Sequence, residues 1–197
     1  MPTKFLELVA VDRRAVEHSI ELLTPVTSRD LSRRTPCEGW SLADLIAHMT
    51  AQHRGFAAAA AGRGADPRPW RVRPLGDDPV AGYREAAAEA LAAFPEAEAA
   101  AFTMPEIAPQ TFPGSMAVGF HLVDYLVHSW DVAAALGVPV RADPEVVAAA
   151  LPIALAVPDD GQRLSPGAPF RPAVAVTGAV DPLDRVLAAL GRDPSWR

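Results

Sequence analysis

One cysteine, Cys37, and one lysine, Lys4, stand in a chain of 197 residues. A single cysteine closes no internal disulfide, and it builds neither a four-cysteine nor a two-cysteine, two-histidine zinc site. Any metal held by this chain therefore rests on imidazole and carboxylate. No block of like charges occurs: 18 basic residues face 24 acidic ones for a net charge of −6, which excludes the basic stripe of a nucleic-acid surface. No apolar run approaches the roughly 20 residues that span a bilayer. The opening MPTKFLELVAVDRR places two arginines where a signal peptide would continue its apolar segment. The expectation is a cytoplasmic protein with neither a membrane nor a nucleic-acid partner. Phosphate-cradling glycine loops, a Ser-His-Asp arrangement and paired catalytic carboxylates are also missing.

What the chain does have is a 50% hydrophobic content, 20 prolines and five histidines. The length suits one domain over residues 1–197, burying roughly 70% of the surface of the unfolded chain. From Phe5 to about Val26, residues Leu6, Val9, Val16, Ile20 and Leu23 recur at helical spacing until Pro25. Ser41 and Asp44 form a capping-box signal, and LADLIAHMTAQHRGFAAAAAG runs helically to Gly62. The proline- and charge-rich stretch 63–78 reads as a loop, after which Asp78-Pro79 opens a third helix that Pro95 closes. Residues 96–113 have room only for short extended pieces. A strongly apolar fourth helix then runs from about Ser115 to Gly137, placed as a helix-stop glycine. Asp143-Pro144-Glu145 starts a fifth helix reaching about Val157, FRPAVAV at 170–176 alternates like a short strand, and Asp181-Pro182 begins a last short helix. Four long helices with short C-terminal additions predict an all-α fold, a helical bundle.

Chemistry concentrates in the fourth helix. His121, Asp124 and His128 fall at i, i+3 and i+7, offsets of about −60° and −20° on a helical wheel, so the three side chains leave one narrow arc. The surrounding residues are apolar nearly all round, which implies burial, and buried titratable groups need partners. Asp124 and His128, one turn apart, are spaced to share a cation. His48, among Leu45, Ile46 and Met49 on the second helix, is the candidate for a ligand from a facing helix. His48, Asp124 and His128 would supply two nitrogens and one oxygen with open positions left, a set suited to Zn²⁺, Ni²⁺, Fe²⁺ or Mn²⁺. Against this stand a plain i, i+4 surface pair for Asp124 and His128, and a hydrogen-bonded core histidine for His48. His121 is expected as a pocket residue beside the site and Asp131 as a hydrogen-bonding support behind it. His53, about 140° around the helix from His48, and His18 are expected on the surface. Pro36 to Trp40 reads as the turn into the second helix, with Cys37 structural.

The stretch TPCEGWSLADLIAHM at 35–49 and the stretch DYLVHSWDVAAALG at 124–137 together resemble the DinB-like superfamily, in particular the metal-binding domain of mycothiol-dependent maleylpyruvate isomerases and related uncharacterised metal-binding proteins. The tail FRPAVAVTGAVDPLDRVLAALGRDP at 170–194 is similar to the ending of the latter group. The resemblance implies a DinB-like four-helix bundle whose His, acid, His metal triad lands on His48, Asp124 and His128. It further implies a divalent metal, zinc or nickel foremost, and a low-molecular-weight thiol, mycothiol in the isomerases, as cosubstrate. The activity implied is that of a metal-dependent, thiol-assisted transferase or isomerase acting on a small-molecule substrate, with a homodimer as the candidate assembly. Two departures accompany it. The isomerases present glutamate where this chain has Asp124, and the stretch after the fifth helix is too short for the C-terminal domain that they carry. The competing expectation is a non-catalytic bundle binding a small apolar ligand or a protein partner.

Overall fold

A computed structural model describes residues 4–107, 109–165, 168–177 and 181–196. Seven helices and one β-hairpin follow in order: α1 (Lys4–Leu23), α2 (Leu42–Ala60), α3 (Pro67–Trp70), α4 (Pro79–Ala93), β1 (Ala101–Thr103), β2 (Thr111–Pro113), α5 (Gly114–Leu136), α6 (Pro144–Leu155) and α7 (Pro182–Ala189). The long helices begin where their caps dictate. Ser41 and Asp44 form the reciprocal capping box of α2, with Ser41 N–H donating to Asp44 Oδ2 at 2.9 Å and Asp44 N–H to Ser41 Oγ at 3.3 Å. Aspartates 78, 143 and 181 cap α4, α6 and α7, each followed by proline at the first helical position. Gly137 stops α5 in the left-handed region at φ 71°, a conformation that costs glycine little.

The bundle pairs α1 with α5 and α2 with α4, while α2 also packs on α5. Helices α6 and α7 pack on each other, and α6 leans on α5 and α1. One apolar cluster gathers Leu45, Ile46, Met49, Leu122, Leu126 and Val147, and a second gathers Phe56, Trp70, Phe94, Phe102 and Phe112. The second lies under the hairpin, where Phe102 faces Phe112 in register. Trp70, on the short helix α3, seats against α2 only because residue 55 is glycine: a Cβ there would lie 2.1 Å from the indole. The indole N–H donates to Gly64 O at 2.9 Å.

The predicted helices are all present, with ends shifted by a few residues at most. The hairpin occupies the span expected to hold short extended pieces. Residues 170–176 form no strand: Val174 N–H donates to Ala188 O at 2.9 Å and Ala173 N–H to the Asp159 side chain at 3.1 Å, but among the described residues no neighbouring strand makes a ladder with them. Alternation in the sequence reports exposure on two sides, not a pairing partner. No helix among the described residues is long and apolar enough to cross a membrane.

Candidate metal centre

Two helices, the loop before α2 and the tail after α7 converge at one end of the α2–α5 contact. Helix α2 carries His48, and α5 carries Asp124, His128 and Asp131 on successive turns. The loop before α2 closes on itself through the Arg34–Ser41 bridge and the Trp40 N–H bond to Cys37 O at 3.0 Å. Gly39, at φ 79°, makes that tight reversal accessible. The reversal lays the Trp40 ring 4.9 Å from the His48 ring and brings Cys37 to the edge of the site. The tail after α7 supplies Arg192.

One nitrogen of His48, one of His128 and one oxygen of Asp124 lie within 4.8 Å of one another. His128 Nε2 stands 3.3 Å from Asp124 Oδ1, and the His48 and His128 rings meet edge to face at 5.2 Å. Asp124 Oδ2 is enclosed and has no hydrogen-bond partner, while the side chain as a whole is 27% exposed, which leaves a route to it. An unpartnered carboxylate oxygen beside two imidazoles is what a cation would satisfy.

The electrostatics prepare the same donors. Burial, reinforced by the neighbouring His128, pushes the His48 imidazole down to about 4, so at neutral pH it presents a lone pair. Burial works to push the Asp124 carboxyl up, but the attraction and hydrogen bond of His128 outweigh it and hold the group at about 2. Burial likewise works against the charged form of His128; Asp124 and Asp131 overcome it and raise this imidazole well above the ordinary histidine value. Without an ion, His128 is thus the proton that fills the gap. Its Nδ1 donates to Asp131 Oδ2 at 2.8 Å, fixing the ring so that Nε2 faces Asp124.

Asp131 is fully buried and also accepts from Arg192 at 3.2 Å and from the Cys37 thiol at 3.3 Å. Burial raises its carboxyl less than Arg192 and His128 lower it. Cys37, His128 and Asp131 form a second cluster of ligand-type atoms within 4.8 Å. There the Arg192 guanidinium already supplies a cation, 3.2 Å from Asp131 and 3.8 Å from the Cys37 sulfur. The first cluster, where no side-chain cation other than the displaceable His128 proton intervenes, is the better fit for a metal.

His121 does not join these three. Its Nδ1 lies 2.7 Å from Asp12 Oδ1 on α1 and its Nε2 3.1 Å from His53 Nδ1 on α2, all three residues being completely buried. His53 stacks on Tyr125 with centroids 3.9 Å apart, and burial with the nearby His121 pushes it well below the ordinary histidine value. The expectation of a surface His53 is therefore corrected. Helix α2 is covered by α4 and α5 on separate faces, so an arc turned away from His48 is still interior; the alanine run that follows His53 was the available signal. His18 is half-buried with an enclosed, unpartnered Nε2, also less open than expected. Sequence reasoning missed Arg192 and Asp12 as partners of the polar groups, and it read Cys37 as structural without linking it to Asp131.

The fold and this cluster define a class: a helical bundle with an imidazole–carboxylate centre built between facing helices. The sequence model of the family described as mycothiol maleylpyruvate isomerase N-terminal domain matches residues 13–133, a span that holds His48, Asp124, His128 and Asp131. The chain belongs to this family, and its fold is DinB-like. It is 33% identical over 184 residues to an uncharacterized protein of Mycobacterium tuberculosis, found in two strains, covering 91% of this chain and 94% of the relative. Among solved structures it is similar to the mycothiol-dependent maleylpyruvate isomerase, at a TM-score of 0.57 and 17% identity over 79% of this chain and 69% of that one. A histidine-to-alanine mutant of the same isomerase matches over the same shares at a TM-score of 0.62 and 16% identity. At such identities the two structures establish the shared fold.

Proposed function

We propose that this chain is a divalent-metal-dependent enzyme of the thiol-assisted transferase or isomerase type, with the ion held by His48, Asp124 and His128. The observation that carries the reading is the convergence of three ligand-type atoms within 4.8 Å around a carboxylate oxygen that has no other partner. Two nitrogens and one oxygen suit zinc or nickel. Such an ion acts as a Lewis acid toward a thiol, a water or a substrate oxygen.

The chain's own residues have separable tasks. His48 is neutral and needs no deprotonation to bind. Asp124 is ionised and supplies the negative charge. His128 gives up its Nε2 proton on loading while Asp131, accepting from Nδ1, keeps the ring aimed. Arg192 balances the charge of Asp131, so that carboxylate stays a support for His128 and does not compete for the ion. The thiol is drawn from the family: mycothiol is named in the description of the matching family and of the similar structures, and a low-molecular-weight thiol is the cosubstrate proposed here, alongside a small-molecule substrate.

Metal analysis of the purified protein, together with melting curves recorded with EDTA, zinc and nickel, tests this. The native protein is expected to carry or take up close to one divalent ion per chain and to melt higher when loaded, by mass action; His48→Ala is expected to lose both responses. An unresponsive native protein under every loading condition would overturn the reading in favour of a non-catalytic bundle.

A further inference from the structure

Away from the metal centre, a cleft of about 70 Å³ opens between α2, the N-terminal turn of α4 and the loop joining α3 to α4. Its charged lining consists of Arg54 from α2, Arg71 and Arg73 from the loop, and Asp78 at the start of α4. Three cations against one carboxylate is a local excess of positive charge on a chain whose net charge is −6. Some arginines elsewhere are neutralised, Arg14 by Asp143 and Glu145, Arg33 by Asp30, Arg68 by Asp66 and Arg192 by Asp131, while Arg29, Arg34, Arg63, Arg141 and Arg185 make no ion pair among the described residues; what sets the cleft apart is that three arginines line one concavity. None of the three in the cleft makes an ion pair or side-chain hydrogen bond among the described residues. Asp78, the only lining carboxylate, is occupied in capping α4 through the Ala81 N–H at 2.9 Å.

We propose that Arg54, Arg71 and Arg73 form a binding site for a small oxyanion group, a phosphate or a carboxylate, belonging to a small-molecule ligand. Guanidinium forks match the paired oxygens of such groups, and several forks on one concave site define the position of the anion as well as attracting it. The first turn of α4, with Pro79 and Gly82 in the wall, adds the positive end of a helix to the same space. The volume admits a few water-sized groups, at roughly 10–15 Å³ each, so one oxyanion group sits inside while the remainder of its ligand extends outward. Leu75 and Ala51 in the lining offer apolar contact for that remainder. The site uses no metal ligand and stands whether or not the proposed metal binds.

Amide NMR titrations on EDTA-treated full-length protein, at constant ionic strength, test it with inorganic phosphate and succinate as probes. Saturable shifts at Arg54, Gly76 and Gly82 are expected with at least one probe, and the tighter probe assigns the group as phosphate or carboxylate. Arg54→Gln and the double variant Arg71→Gln/Arg73→Gln are each expected to weaken binding about tenfold or more. Arg63→Gln, an equal charge change on the exposed loop outside the cleft, is expected to leave it unchanged. Shifts that fail to saturate, or an equal loss in Arg63→Gln, would overturn the site. Because the loop variants change exposed side chains only, retained native amide dispersion separates loss of binding from loss of fold.

Discussion

His128 Nδ1 donates to Asp131 Oδ2 at 2.8 Å along one turn of α5, and this bond decides which nitrogen of His128 is offered to Asp124. Asn at 131 keeps the shape but replaces an ionised acceptor with a neutral amide. Asp131→Asn is expected to weaken zinc or nickel binding about 10- to 100-fold, measured by competition with a chromophoric chelator. It also strips Arg192, 12% exposed, of its counter-charge, so a fall in stability is expected in the same variant. Unchanged affinity would show that the ring is held by packing alone.

His48 makes a pH prediction whose sign follows from its environment. Its imidazole titrates at about 4 in the folded chain and near 6.5 unfolded. As pH falls below 6.5 the unfolded chain takes up a proton that the folded one refuses until about 4. The stability present above pH 6.5 is therefore lost progressively as pH falls through 4, by an amount on the order of 3 kcal/mol. His53, shifted in the same direction, adds to the loss. His128 runs the opposite way: its raised value contributes stability below 6.5 that is lost as pH rises through it. Imidazole NMR of the metal-free protein should give His48 a midpoint near 4; a midpoint at 6 or above contradicts a buried, neutral ring.

The Asp12–His121–His53 chain makes a separate prediction. His121 touches Phe56 and Phe94 of one apolar cluster and Tyr125 of the other, so this polar chain is the joint between the two halves of the core. Asp12→Ala removes its only carboxylate and leaves the buried His121 Nδ1 without its partner. A loss of about 2–5 kcal/mol is expected in urea unfolding, with metal loading of the folded fraction unchanged. If loading fell with stability unaffected, His121 would belong to the metal pocket.

The helical architecture was legible because it is written locally: the Ser41–Asp44 box, the Asp-Pro starts and Gly137 are short-range signals that tertiary packing had no reason to override. His48, Asp124 and His128 were legible for a related reason, since polar residues inside apolar helical arcs mark themselves. What the sequence concealed is long-range. Arg192 is 61 residues from Asp131 and 155 from Cys37, and no periodicity links a tail to a helix interior. His53 was misplaced because a helical wheel gives direction but not how many faces are covered. Trp70 sat in a proline-rich loop, where only the closeness allowed by Gly55 reveals that the loop folds inward.

The tail that carries Arg192 is itself fastened by one side chain. Arg163 donates to four backbone carbonyls, Pro158 at 2.7 Å, Val157 at 3.1 Å, Arg171 at 3.0 Å and Ala189 at 2.7 Å, tying the end of α6 to the end of α7. A planar guanidinium spans these acceptors at once, whereas a lysine ammonium is a single point on a flexible stem. Arg163→Lys keeps the charge but leaves several carbonyls unpaired, for an expected cost of about 2–4 kcal/mol. Limited proteolysis should cut the 156–181 segment faster in this variant than in the native chain. Loosening α7 draws Arg192 away from Asp131, so metal affinity should fall as well, though less than in Asp131→Asn, which acts on His128 directly. Native-like proteolysis together with unchanged metal affinity would mean instead that Arg163 does not hold the tail in place.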